Sequence, residues 1–163
     1  MSTVPVSVLF VCLGNICRSP LAEGIFLDLV QELADPSRYR VDSAGTGSWH
    51  VGEAPDPRAR AVARKNGLEL VSRGRQVGSQ DLSDFDVVIA MDSANLSALH
   101  LLGEGLEGGA ELFLLRDFDP DADDSDRDVP DPYWGGDDGF DRVYEMIHRS
   151  CRALLEHLEE GES

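Results

Sequence analysis

The residues in this chain best placed to do chemistry together are the nine that read "CLGNICRSP", Cys12 to Pro20, directly after the apolar run "VSVLFV". A glycine-containing loop that feeds a helix N-terminus turns several backbone N–H groups toward one point, and the helix dipole adds partial positive charge. Such a loop is an anion cradle. Arg18 adds a planar guanidinium that can grip two oxygens of a phosphate-like group at once. A cysteine at the base of a positive loop is favoured as the thiolate, which is the nucleophilic form. Cys12 is therefore a candidate nucleophile in the floor of a phosphate-binding nest. On these residues alone the plainer alternative stays open: a cysteine ending a buried strand serves as a small core hydrophobe, and an arginine at a helix start as a solvated charge. The loop is not a nucleotide-binding P-loop, because the closing Gly-Lys-Ser/Thr is absent.

The flanking pattern shows what must hold this loop. "SVLFVC" (7–12) is apolar and β-branched, as expected of a strand buried on both faces of a parallel sheet. After it, "SPLAEGIFLDLVQEL" places Leu21, Ile25, Leu29 and Leu33 at helical spacing, with Ser19 as the expected cap and Pro20 in the first turn. The alternation recurs. "YRVDSAG" reads as a strand, "DPRARAVARKNG" as a helix capped by Asp56 and ended at Gly67, and "FDVVIAMD" (85–92) as a second apolar strand. "SANLSALHLLG" then reads as a helix and "ELFLLRD" as a strand. A long last helix over "GFDRVYEMIHRSCRALLEHLEE" turns Phe140, Val143, Ile147, Cys151, Leu154, Leu155 and Leu158 inward. Strands alternating with helices imply an α/β fold whose parallel sheet is covered on both sides. Ligands in such folds sit at the carboxyl ends of the strands, where "CLGNICR" lies.

The totals narrow the function. With 163 residues, the chain suits one domain over 1–163 with a sizeable core. A formal charge of -17 argues against a nucleic-acid or anionic-membrane partner, since both need clustered cations. The N-terminus has neither a basic segment nor a long apolar run, so cytoplasmic placement is expected, with leaderless export left open. Three cysteines, two of them in one loop, argue against a secreted disulfide framework. A metal is the weaker option for that pair, because no histidine stands at finger-like spacing. The acidic stretch "DFDPDADDSDRDVPDPYWGGDDG" reads as a long loop before the last helix, of a length that is often functional. Asp117, Asp119, Asp121 and Asp128 fall near the spacing of a calcium loop. Ala122 replaces its glycine, however, and Asp128 its bidentate glutamate.

"FVCLGNICRSPLAEG" closely resembles the signature of the low-molecular-weight protein tyrosine phosphatases, as found in bacteria, whose Cys-x5-Arg-Ser loop follows the first strand. "SAGTGSWH" (43–50), "DSANL" (92–96) and "DPYW" (131–134) match the same family in order, so the resemblance spans nearly the whole chain. It implies a single-domain, Rossmann-like α/β fold with a four-stranded parallel sheet flanked by helices. It also implies hydrolysis of phosphotyrosine monoesters without a cofactor or metal. Phosphotyrosine proteins would then be the partners, with a cognate bacterial tyrosine kinase as a candidate among them, and phosphate or other oxyanions would occupy the loop. By the same resemblance Cys12 takes the phosphoryl group as a thiophosphate, while Arg18 and the loop from Leu13 through Gly14, Asn15 and Ile16 to Cys17 hold the equatorial oxygens. Ser19 donates to the Cys12 sulfur and eases its departure, and Asn15, helped by Ser43, braces the loop. Asp131 protonates the leaving phenolate and then activates water. Trp49, Tyr133 and Trp134 wall a slot that admits a flat aryl phosphate and excludes phosphoserine. Cys17 forms a protective disulfide with Cys12 on oxidation.

Each reading has a plainer rival. Asp131 is one aspartate among many in its loop, the three aromatics serve equally well as loop anchors, and Cys151 fits the core. One departure from the family stands before "RQV" (75–77), where Ser72 or Arg73 occupies the place of a loop-bracing histidine. A thiol-dependent arsenate reductase of the same fold is disfavoured, because no cysteine pair lies downstream between Cys17 and Cys151. A non-catalytic phosphate-binding module would need neither nucleophile nor acid.

Overall fold

The apolar run that opens the chain forms strand β1, Val6–Cys12, buried at every residue after the first. Three more strands join it: β2 Tyr39–Gly45, β3 Val87–Ala90 and β4 Glu111–Leu114. The computed structural model describes residues 5–106, 108–134 and 137–161. Its single sheet runs in the order β2-β1-β3-β4, with all neighbours parallel. β1 sits at the centre, where the chain turns from building one way to building the other. The carboxyl ends of β1 and β3 therefore lie side by side at a switch point, where such sheets open a crevice.

Two layers of helix cover the sheet. Val8 and Phe10 face one layer and pack with α1 (Arg18–Leu33), α2 (Pro57–Lys65) and α5 (Asp137–Gly161). Leu9 and Val11 face the other and pack with α3 (Ser79–Asp84) and α4 (Ser93–Leu102). The period-two alternation of a strand thus feeds both cores from one apolar run. In the first core Phe26 meets Tyr39 edge-on and Phe10 at a tilt, with centroids 5.8 and 5.6 Å apart. Truncating a buried phenylalanine such as Phe26 costs about 3–5 kcal/mol. Along α5, Phe140, Val143, Ile147, Cys151, Leu154 and Leu155 are buried, and Leu158 is partly so. Among the described residues no helix is long and apolar enough to cross a membrane.

Several local expectations are corrected. Cys17, not Ser19, is the N-cap of α1, and the helix already begins at Arg18. The Ser19 hydroxyl is drawn instead into the loop behind it. Leu33, at the last position of α1, overhangs the core and is half exposed. The strand expected over 85–92 pairs only from Val87 to Ala90, and the one expected from Glu111 stops at Leu114, where a 3-10 turn follows. In α2, by contrast, the Asp56 carboxylate accepts from the Arg58 N–H as a cap should, and Pro57 opens the helix.

Candidate active site

Cys12 ends β1, and the next residues coil back over its sulfur. Asn15 takes a left-handed backbone (φ 57°), which a short polar side chain tolerates best after glycine. That turn brings the Asn15 N–H to 3.3 Å from Cys12 Sγ. The loop's carbonyls face away and are met by the adjoining chain: Thr46 N–H donates to Cys12 O, Gly47 N–H to Leu13 O and Asp56 N–H to Ile16 O. The approach is so close that a Cβ at Gly45 would stand 2.8 Å from Leu13 O.

Behind the sulfur, the hydrogen bonds have a direction that their chemistry imposes. Arg75 N–H donates to Asn15 Oδ1 at 3.0 Å, so the Asn15 amide group must donate elsewhere. It gives one proton to Ser19 Oγ (2.8 Å) and one to Ser43 Oγ (3.0 Å). Ser43 in turn donates to Glu23 at 2.6 Å. Having accepted from Asn15, Ser19 has one proton to give, with Cys12 Sγ at 3.0 Å and Ala44 O at 3.4 Å in reach, and toward a thiolate, which can only accept, it is the donor. A thiolate at Cys12 is thereby met by a hydroxyl and an amide donor together. Neither Glu23 nor Arg75 was marked by the sequence as part of this bracing, yet the Arg75 N–H and the Glu23 carboxylate are its outer members. Burial raises the Glu23 carboxyl, reinforced by Asp42, although Ser43 and Arg75 pull it down.

Arg18 opens α1 with its side chain almost wholly buried. Its Nη1 donates to Asp92 Oδ2 at 2.6 Å and to Val129 O at 2.9 Å, and its Nη2 lies 3.7 Å from Asp131 Oδ2. Burial alone would lower the guanidinium. The Cys12 sulfur, Asp92 and Asp131 outweigh it and hold Arg18 above its ordinary range. Asp92 also caps α4 by accepting from Asn95 N–H. Its place just past β3 was visible in the sequence, but its partnership with Arg18 was not.

Asp131 approaches from the other side, on the acidic loop. Its Oδ1 accepts from Tyr133 N–H at 3.0 Å, where a short turn runs Pro132–Trp134. Cys12, Arg18 and Asp131 border one cleft of about 410 Å³. Leu13, Gly14, Ile16 and Cys17 line it from the loop; Trp49, His50 and Tyr133 form its mouth. Trp49 does not anchor its loop from beneath: it is 71% exposed, its ring laid over Gly47. The His50 ring stands against Gly14, with Nδ1 paired to Glu53 at 3.0 Å. Trp134 is in the turn, but its side chain lies outside the described residues. Cys17 is a buried free thiol pushed far up by burial and by Asp56. Cys151 is fully buried in α5. Of the candidate calcium ligands, Asp119 is taken by Arg116 and Arg149, Asp117 by Arg127, and Asp128 by Ser93.

A family model described as "Low molecular weight phosphotyrosine protein phosphatase" matches residues 7–163. The chain is 43% identical over 153 residues to a low molecular weight protein-tyrosine-phosphatase of Streptomyces coelicolor, covering 94% of this chain and 93% of that one. The crystal structure of YfkJ from Bacillus subtilis superposes with a TM-score of 0.89 at 39% identity, over 98% of both chains. A protein tyrosine phosphatase from Entamoeba histolytica, solved with Hepes in its active site, gives 0.88 at 39% identity over 97% of this chain and 99% of that one.

Proposed function

The chain belongs to the low molecular weight phosphotyrosine protein phosphatase family, and from that membership we propose that it hydrolyses phosphotyrosine monoesters in proteins through a cysteinyl-phosphate intermediate. The observation that carries this reading is the directed chain of donors ending on Cys12 Sγ, with Arg18 and Asp131 bordering the same cleft. A binder would need no donor chain aimed at a sulfur.

In the first step the Cys12 thiolate attacks phosphorus and the phenolic oxygen leaves. With Nη1 committed to Asp92 and Val129, Arg18 offers Nε and Nη2 to the equatorial oxygens, beside the loop N–H groups. Asp131 gives its proton to the leaving oxygen, without which a phenolate departs slowly. In the second step Asp131 takes a proton from water as the water attacks phosphorus. The Cys12–phosphorus bond breaks, and Ser19 and the Asn15 N–H receive the returning thiolate. The products are a tyrosine and inorganic phosphate. Positive charge from Arg18 and the loop amides suffices for this scheme, so no metal is required. Trp49 and Tyr133 at the mouth accept the flat ring, and a phosphoserine stem is too short to bring its phosphate down to Cys12.

The test is hydrolysis of phenyl phosphate by the wild type and by Cys12→Ser and Asp131→Asn. The wild type should turn over, the serine variant should be inactive, and the asparagine variant should be slowed by about 10²-fold or more. Turnover by Cys12→Ser at the wild-type rate would remove the covalent scheme. Equal rates on phosphoserine and phosphotyrosine peptides would remove the slot.

A further inference from the structure

Asp131 stands on a loop whose own charges work against a fixed shape. Residues 117–131 carry aspartates at 117, 119, 121, 123, 124, 126, 128 and 131 against one cation, Arg127. Like charges this close repel and extend a chain. A cation from outside the loop is needed to gather them.

Arg116, just past β4, is that cation, with a side chain only 2% exposed. Its Nε donates to Asp119 Oδ2 at 2.8 Å, and its Nη1 donates to Asp126 Oδ1 at 2.6 Å and to Asp128 O at 3.1 Å. One guanidinium therefore grips both the start of the loop and the stretch just ahead of Asp131. From α5, Arg149 Nε donates to the other oxygen of Asp119 at 2.8 Å. The exposed pairs of Arg127 with Asp117 and Asp124 are open to solvent and salt, and contribute little by comparison.

The grip passes to the site along a stiff line. Asp128 Oδ1 accepts from both the N–H and the hydroxyl of Ser93, each at 2.9 Å, at the start of α4. Val129 N–H donates to Met91 O at 2.8 Å, and Val129 O accepts from Arg18. Val129 and Asp131 each precede a proline, which holds them extended, while Pro130 and Pro132 have φ set by their rings. A position set at residue 128 is thus carried to the carboxylate at 131.

Resting on the reading of Asp131 as the general acid, we propose that Arg116 is a positioning residue that sets where Asp131 stands, acting through Asp126 and the Asp128 carbonyl without touching substrate. Its signature is selectivity for the leaving group in kcat/KM, which reads only the first step. There a misplaced acid harms only esters that need a proton, whereas its second role toward water is common to all esters.

The experiment compares kcat/KM on phenyl phosphate, whose phenolate must be protonated, with that on dinitrophenyl phosphate, whose leaving group departs unaided. Arg116→Gln should lose about tenfold or more on the first and less than about threefold on the second. In an Asp131→Asn background the same change should add no further selectivity. Arg116→Lys keeps the charge but not the three-way grip, and should fall between. Equal losses on both esters, or no loss with native circular dichroism, overturn the proposal. Where Arg116→Gln does not fold, Arg116→Lys decides by the same two patterns. Failure of the underlying reading looks different: Asp131→Asn would itself show no preference between the esters.

Discussion

The two loops that meet at the cleft are held by different forces. From Cys12 to Ser19 the chain is fixed chiefly by buried hydrogen bonds among the neutral side chains of Asn15, Ser19 and Ser43, with a single ion pair, Arg18 against Asp92, that is itself largely buried. From 117 to 131 it is fixed by ion pairs, in which Arg116 and Arg149 hold Asp119 and Arg127 holds Asp117 and Asp124. Neutral buried bonds are indifferent to salt and to moderate pH, and the Asp119 pairs are buried and little screened. The exposed pairs of Arg116 with Asp126 and of Arg127 with Asp117 and Asp124, by contrast, are weakened by salt, and every carboxylate of the loop is open to titration by acid. The nucleophile should accordingly stay in place under conditions that loosen the acid.

Asn15→Ala sharpens that contrast most. It removes the acceptor for Arg75 N–H and the donors to Ser19 and Ser43, and places alanine at a left-handed φ. Buried groups left unpaired cost about 1–3 kcal/mol each, so a loss of a few kcal/mol is expected in denaturant unfolding. Activity should fall by about 10²-fold, equally on good and poor leaving groups, because the nucleophile itself is displaced. A loss confined to poor leaving groups would break the comparison. Asp119→Asn should do the opposite. Its carboxylate is buried between two guanidinium groups, and removing one partner of such a set costs about 3 kcal/mol. The loss in kcat/KM, about tenfold, should be confined to poor leaving groups and should deepen in high salt, which screens the remaining exposed pair of Arg116 with Asp126.

Acid sharpens the comparison further, because one carboxylate behind each loop is shifted in the opposite sense. Burial would raise Asp119, but the hydrogen bonds from Arg149 and Arg116 outweigh it, and the group ends below its ordinary value. A folded value below the unfolded one gives stability that is present above the usual carboxylate range and lost as pH falls through the folded value. Glu23 is raised, chiefly by burial, so its contribution has the reverse sign: full below its unfolded value and lost as pH rises through the folded one. Glu23→Gln should therefore raise the melting temperature slightly at neutral pH, with the gain vanishing on acidification. Asp119→Asn should be most destabilising at neutral pH, its deficit shrinking only below the ordinary carboxylate range. Thermal melts of both variants from pH 8 to pH 3 check the two slopes, and parallel curves would show that the loops are not differently held.

The same division runs through what the sequence made legible. β1, the α2 cap at Asp56 and the inner face of α5 were readable because each depends on local chemistry: an apolar run, a Pro after an Asp, a helical period. Cys12 and Arg18 could be grouped from their shared loop, but Asp131 joined them only through a resemblance, because spacing alone does not connect residues so far apart. The local pattern misread Ser19, because a serine before a proline suits a helix cap; that its hydroxyl turns to the Cys12 sulfur was implied by the resemblance alone, and the structure sets it between Cys12 and Asn15. α3 was missed because "SQDLSD" is too short to display a period, and what opens it is the Asp81 carboxylate accepting from Gly78 N–H. In the acidic loop every aspartate looks alike in the sequence. Which of them is gripped depends on where Arg116 and Arg149 arrive from β4 and α5, and no local pattern records that.

The smallest expected effect concerns what reaches the cleft rather than what holds it. With a formal charge of -17, the molecule repels an anionic approach over distances of about a Debye length, ~10 Å at 0.1 M salt. Near the mouth Glu53 stands against the His50 ring, and Arg58 is engaged by Asp56 while lying over the Tyr133 ring, so the Arg58 charge is matched by a carboxylate. A phosphotyrosine peptide with acidic neighbours should then show a kcat/KM about two- to fivefold below that of its neutral-flanked counterpart at low ionic strength, the scale of one or two exposed charge pairs. The gap should close as salt rises, since screening removes the repulsion without altering either loop's grip on its catalytic residue. Phenyl phosphate, which has no flanks, supplies the baseline: salt that weakens the acid loop slows it too, so the flank effect is the part of the salt response that the peptides show and phenyl phosphate does not. Equal rates for acidic and neutral flanks at low salt would mean that Arg58, despite Asp56, offsets the molecule's field where the substrate docks.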